Sequence, residues 1–173
     1  MKYFKDEIFE LLNMGGESGD AEYKNAYRKY MKEYMKAKKK LPQLFTEVYE
    51  KIGFHDALIP QINISIKYQG FNRDDHGNST SLELAIHKYS SKKSEWQGWM
   101  IVLENIRNLA IAAESERKSP TCIDTFHHDE LLLSDNGYVS WEINAIDACL
   151  KIEFRKLKIR ELSESEMVQF ERR

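Results

Sequence analysis

The sequence predicts an α+β protein, with about three N-terminal helices followed by an antiparallel β-sheet, or partly open barrel, of six to seven strands. Two observations carry that expectation. Apolar residues recur at helical spacing through the first third of the chain and at a period of two from about residue 57 onward. The helical and strand patterns are also segregated along the chain, which marks α+β rather than α/β proteins. The same change of period divides the chain into a helical region over residues 1–56, an antiparallel β domain over 57–162 and a tail over 163–173. At 173 residues these form one compact unit.

Each element has its own signal. Phe4, Ile8, Leu11 and Leu12 share one helical face, so a first helix is expected over residues 3–13, stopped by Gly15 and Gly16. After a loop over residues 15–19, Asp20 is the expected cap of a second helix, whose Tyr23, Ala26, Tyr27, Tyr30 and Tyr34 form one stripe widened by Met31 and Met35. Its end in Lys36, Lys38, Lys39 and Lys40 suits the negative pole of the helix dipole. Pro42 opens a third helix with Leu44, Phe45, Val48, Tyr49 and Ile52 on one face, and Gly53 ends it.

Strand alternation then takes over. Ile62, Ile64, Ile66 and Tyr68 alternate with polar residues, and a polar loop over residues 72–81 leads to Leu82, Leu84 and Ile86. Trp99, Ile101 and Leu103 continue the alternation, and Leu109 with Ile111 forms a next strand after a turn near residues 105–108; a helix over 99–113 competes with that reading. Asn136-Gly137 is the strongest hairpin signal, between residues 131–133 and 138–143. Leu150, Ile152, Phe154, Leu157 and Ile159 predict a last strand bulged near Arg155 or Lys156, and the tail over 163–173 is a short helix or a frayed end.

Composition narrows the function. With 26 Lys plus Arg against 28 Asp plus Glu the net charge is −2, which points to neither disorder nor a globally basic nucleic-acid binder. The N-terminus mixes Lys5, Asp6, Glu7 and Glu10 among its apolar residues, unlike a secretory leader, and no apolar run approaches the length of a membrane span. The two cysteines, Cys122 and Cys149, provide no disulfide framework, so a reducing cytoplasm is the expected location.

Chemical candidates are sparse. Cys122, His127, His128 and Asp129, with Cys149, include the right ligand types for zinc but lack its paired spacing, and neighbouring histidines on a strand face opposite ways. His55-Asp56 offers an oriented base, though such a pair more often laces a turn. The segment 24–40 interleaves tyrosine with lysine as a nucleic-acid surface does, yet the tyrosines keep to a core-like stripe. The glycine-rich residues 15–19 follow a helix instead of a strand and carry Glu17, so they connect elements and do not cradle phosphate. No catalytic residue, metal or cofactor is expected.

Charge distribution is the most informative feature. Lys24, Arg28, Lys29, Lys32, Lys36, Lys38, Lys39 and Lys40 face only Glu22 and Glu33 in their segment, whereas residues 119–150 hold Asp124, Asp129, Glu130, Asp135, Glu142 and Asp147 without a Lys or Arg. Phe54-His55-Asp56-Ala57-Leu58-Ile59, the alternating strands and the run Leu150-Lys151-Ile152-Glu153-Phe154-Arg155-Lys156-Leu157-Lys158-Ile159 together resemble small bacterial proteins in which a helical region leads through a His-Asp step into a β-rich domain. Proteins of that appearance include immunity proteins of bacterial toxin systems, so the resemblance implies binding and neutralisation of a cognate toxin. An acidic surface of Asp124, Asp129, Glu130 and Asp135, with Tyr138 and Trp141 as aromatic anchors, is then the expected docking face for a basic toxin such as a nuclease. The alternatives are a hydrolase or metal-dependent enzyme at His55/Asp56 or the Cys122–Asp129 cluster, and nucleic-acid binding through residues 24–40.

Overall fold

The computed structural model describes residues 1–4, 8, 17–67, 79–113, 126–145 and 148–171. Within them the fold is α+β: two helices, two four-stranded antiparallel sheets and a C-terminal helix. The helix expected over residues 3–13 lies mostly outside the described residues. Helix α1 (Glu17–Lys38) starts before Asp20, so Asp20 sits in its first turns and Glu17 to Gly19 are helical, not a loop. Helix α2 (Gln43–Lys51) follows Pro42, whose extended backbone prepares the first turn. Gly53 ends it in the left-handed region (φ 66°), with its N–H donating to the Val48 carbonyl at 3.0 Å. The Lys88 ammonium donates to the Ile52 and Gly53 carbonyls at 3.2 and 3.3 Å, placing a cation at the helix's negative end.

Strands β1 (Leu58–Lys67), β2 (Ser79–Ser90), β3 (Glu95–Glu104) and β8 (Lys156–Glu161) form the first sheet in the order β1-β2-β3-β8. The second runs β4-β7-β6-β5, from β4 (Asn108–Ala113), β5 (Phe126–Leu133), β6 (Val139–Ala145) and β7 (Ala148–Phe154). The strand alternative for residues 99–113 is therefore correct, and the helical one is not. Ser79 and the residues after it belong to β2, so the polar loop ends earlier than expected. The bulge expected near Arg155 is a larger event: the chain changes sheet there, leaving β7 for β8.

Its partner does the same. Between β3 and β4 the chain turns at Asn105 (φ 55°), and the two bends are tied by Arg155 N–H to the Glu104 carbonyl at 3.2 Å and Arg107 N–H to the Glu153 carbonyl at 3.0 Å. One pair of neighbouring strands thus bends together from one sheet into the other, bringing the inner faces into apposition. Register then fills the core: Ile62, Leu84, Ile101 and Ile159 form one cross-strand row, and Ile111, Leu150 and Ile143 another. Phe45 from α2 and Phe54 meet Trp141 at 5.5 and 6.1 Å between ring centres, so one buried cluster joins the helices to the sheets. Fully burying each such ring contributes about 1.5–3 kcal/mol.

The remaining helix, α3 (Glu164–Glu171), is the tail of the chain. It reaches the outer face of the first sheet because Gly98 has no side chain there: a Cβ would lie 2.7 Å from Met167 Sδ and 3.2 Å from Leu162 Cδ1. No helix among the described residues is long and apolar enough to cross a membrane.

Candidate functional site

Among the described residues, the acids expected to share one docking face do not lie on one exposed surface. Asp124 lies outside the described residues. Asp129 points to the inner face of β5, where its carboxylate accepts from Trp141 Nε1–H at 2.7 Å and from the Tyr49 hydroxyl. Loss of hydration raises its pKa to about 6, with both hydrogen bonds opposing the rise. Tyr49 and Tyr30 share a 2.8 Å hydroxyl hydrogen bond, and the Tyr30 oxygen accepts from the Leu131 N–H at 3.2 Å on the free edge of β5. These groups fasten α1 and α2 to the sheet.

Glu130 points the opposite way and is also withdrawn, at 1% exposure. Its carboxylate accepts from the backbone N–H groups of Lys2, Tyr3 and Phe4 at 2.7, 2.7 and 2.6 Å, so residues 1–4 lie over the outer face of β5. Glu142, its cross-strand neighbour, pairs with the Met1 amine and Lys151. Trp141 is wholly buried. Three of the six expected contact residues are therefore engaged within the protein, Asp129 with Trp141 on one face of β5 and Glu130 on the other. Asp135 is exposed in the β5–β6 hairpin, where Asn136 and Gly137 supply the two positive φ angles their sequence predicts. Tyr138 is half-buried and carries the Arg107 and Arg155 guanidiniums, each 4.5 Å from its ring centre. Arg107 in turn bonds Glu153 at 2.8 Å, so Tyr138 belongs to the bracing of the corner.

The enzymatic candidates also occupy structural places. His55 Nδ1 and Asp56 Oδ2 are 2.8 Å apart, with both side chains largely in solvent. Asp56 has a φ of 62°, and its N–H donates to the Phe126 carbonyl at 2.9 Å while Phe126 N–H donates back to Ala57. The step is a turn that covers the edge of β5. Cys122 lies outside the described residues, as does the His127 side chain; among the described residues no group of three His, Cys, Asp or Glu is arranged to hold a metal. On α1, Tyr30 and Tyr34 are buried as the stripe predicts, whereas Tyr27 is exposed among Lys24, Arg28 and Lys29.

A cleft among the described residues lies elsewhere, at the end of β3. Strand β8 stops opposite Trp99, and beyond that point β3 borders a cleft of about 720 Å³ lined by Ile52, Lys93, Glu95, Trp96, Trp99, Glu161, Leu162, Glu164 and Met167 among others. Tyr89 and Trp96 are cross-strand partners beside it, 49% and 43% exposed, with rings edge to face at 5.6 Å. Ile52 and Val168 add exposed apolar surface. Lys93 pairs with Glu95 at 3.4 Å, while Glu161 and Glu164 are exposed and have no cationic partner among the described residues.

No protein-family model, curated protein or solved structure matches the chain. What the cleft can do follows from its chemistry. Paired aromatic rings give a large contact area at low entropic cost, and the unpaired carboxylates favour a cationic visitor. Sequence reasoning passed over these residues because Tyr89 and Trp96 are seven positions apart and the carboxylates come from β3, β8 and α3. A weak signal was present: large aromatics flank Ser90-Ser91-Lys92-Lys93-Ser94, a turn-forming stretch that puts them opposite each other in a hairpin.

Proposed function

We propose that the chain is a non-enzymatic protein-binding module, an immunity protein that acts in the cytoplasm and neutralises a cognate bacterial toxin with a basic surface. The observation that supports this reading is the exposed Tyr89–Trp96 pair beside an acid-lined cleft. Exposed aromatics such as tyrosine and tryptophan are the residue types that dominate protein interfaces. The carboxylates of Glu161 and Glu164 complement the cationic clefts with which nucleases hold phosphates, and attraction of that kind speeds association. In this reading the acidic docking surface is the end of β3 instead of the residues 124–135 expected from the sequence.

The test is protection. Co-expression with the product of the neighbouring gene should restore growth that the product alone suppresses, and the two proteins should co-purify. Tyr89→Ala and Trp96→Ala should each remove protection while leaving the thermal midpoint within a few degrees, since about half of each side chain is in solvent and neither belongs to the buried core. A neighbour that is neither toxic nor bound, or full protection by the double variant, would overturn the reading.

A further inference from the structure

We infer that the cleft at the end of β3 is an anchor site for one arginine side chain on an extended segment of the partner. The inference rests on the chain's being a protein-binding module and specifies the chemistry of the contact. Two demands come from the cleft itself. The first is for a cation: Glu95, Glu161 and Glu164 line it against Lys93 alone, and Lys93 is engaged with Glu95. The second is for a hydrogen-bond acceptor. Trp99, in the cleft wall and 2% exposed, keeps its indole Nε1–H buried with no acceptor among the described residues. Buried donors are almost always satisfied, so an unsatisfied one on a residue that lines a cleft calls for an oxygen from whatever fills it.

No single cationic group meets both demands, because ammonium and guanidinium groups only donate. A residue in an extended chain does: its side chain supplies the cation and its backbone carbonyl the acceptor. The volume of about 720 Å³ is in the range that holds a ligand larger than one side chain, which leaves space for the flanking backbone. Arginine fits better than lysine because its planar fork stacks on an indole such as Trp96 and reaches two carboxylates together. Phosphate and acidic peptides are disfavoured by the same carboxylates.

Acetyl-Gly-Arg-Gly-amide titrated into the intact chain tests this without any partner protein. The protein has three tryptophans, so three indole N–H signals can be followed by NMR. Trp96 and Trp99 should shift saturably, whereas Trp141, whose N–H is held by Asp129 at 2.7 Å, should stay in place. The peptide with citrulline for arginine should give no saturable shift at equal concentration, and Glu161→Gln with Glu164→Gln should weaken the arginine response tenfold or more. Absence of a saturable shift at Trp96 and Trp99 up to about 10 mM, enough to fill a millimolar site, would overturn the inference. An equal response to citrulline would do the same. Because the assay contains no toxin, such a failure removes the arginine anchor alone; the module reading is decided by the protection assay with the Tyr89 and Trp96 variants.

Discussion

A carboxylate that loses its hydration holds its proton more tightly, and Asp129 does so although Trp141 and Tyr49 both donate to its charged form. Its pKa rises from an ordinary 3.8 to about 6 in the folded protein. Below pH 4 both the folded and unfolded forms carry the proton. Between pH 4 and 6 the unfolded chain releases it first, so this group's contribution to stability falls as pH rises and reaches its full cost above 6, on the order of 2–3 kcal/mol. Glu166, held near 2 by Arg160 and Ser163, works in the opposite sense and loses its stabilising contribution only as pH falls through the acid range. Asp129→Asn keeps an acceptor for both donors and removes the titration. Urea midpoints of the wild type should therefore decline relative to that variant from pH 4 to 7; parallel profiles would show that Asp129 is hydrated. Part of this was legible. Consecutive residues on a strand face opposite sides, so Asp129 and Glu130 could not both lie on one open face. That Glu130 is covered as well depends on residues 1–4, far away in sequence, which supply its three donors.

At the level of elements, the position of α3 depends on a missing side chain. Gly98 lets Met167 lie against β3, and α3 in turn forms one wall of the cleft. In Gly98→Ala the new methyl meets the flexible end of Met167, which can move, and the loss should be about 1–3 kcal/mol. Gly98→Val adds branching that a methionine shift cannot absorb, so α3 should detach, seen as lost amide-exchange protection over residues 164–171 while the sheets keep theirs. Unchanged protection in the valine variant would show that α3 is not seated on Gly98. The periodicity identified most strands but could not show this, since a glycine in an alternating strand reads only as a weak position. Likewise the interruption at Arg155 was visible as a break in alternation, yet a bulge and a change of sheet leave the same mark on one strand. The hydrogen bonds between its bend and that at Asn105 distinguish them.

For the molecule as a whole, charge separation exceeds what the net charge of −2 suggests. The solvent side of α1 carries Lys24, Arg28, Lys29, Lys32 and Lys36, while the cleft carries Glu161 and Glu164, which have no cationic partner among the described residues. With a cationic partner, Glu161→Gln plus Glu164→Gln should slow association several-fold at low salt and flatten its salt dependence, with the thermal midpoint unchanged because both side chains are exposed. Equal association rates for variant and wild type at two ionic strengths would remove the steering role. The sequence by itself determined the class of this protein, the segregation of helices from strands, the Asn136-Gly137 hairpin and most core residues. All are set by short-range periodicity and local backbone preference, which act within a few residues. Only the tertiary structure decided which acids are withdrawn and which face solvent, where the strands change sheet and where the cleft opens. Each of these depends on groups brought together from distant segments, and the solvation of a carboxylate or an indole N–H is set by what folds over it.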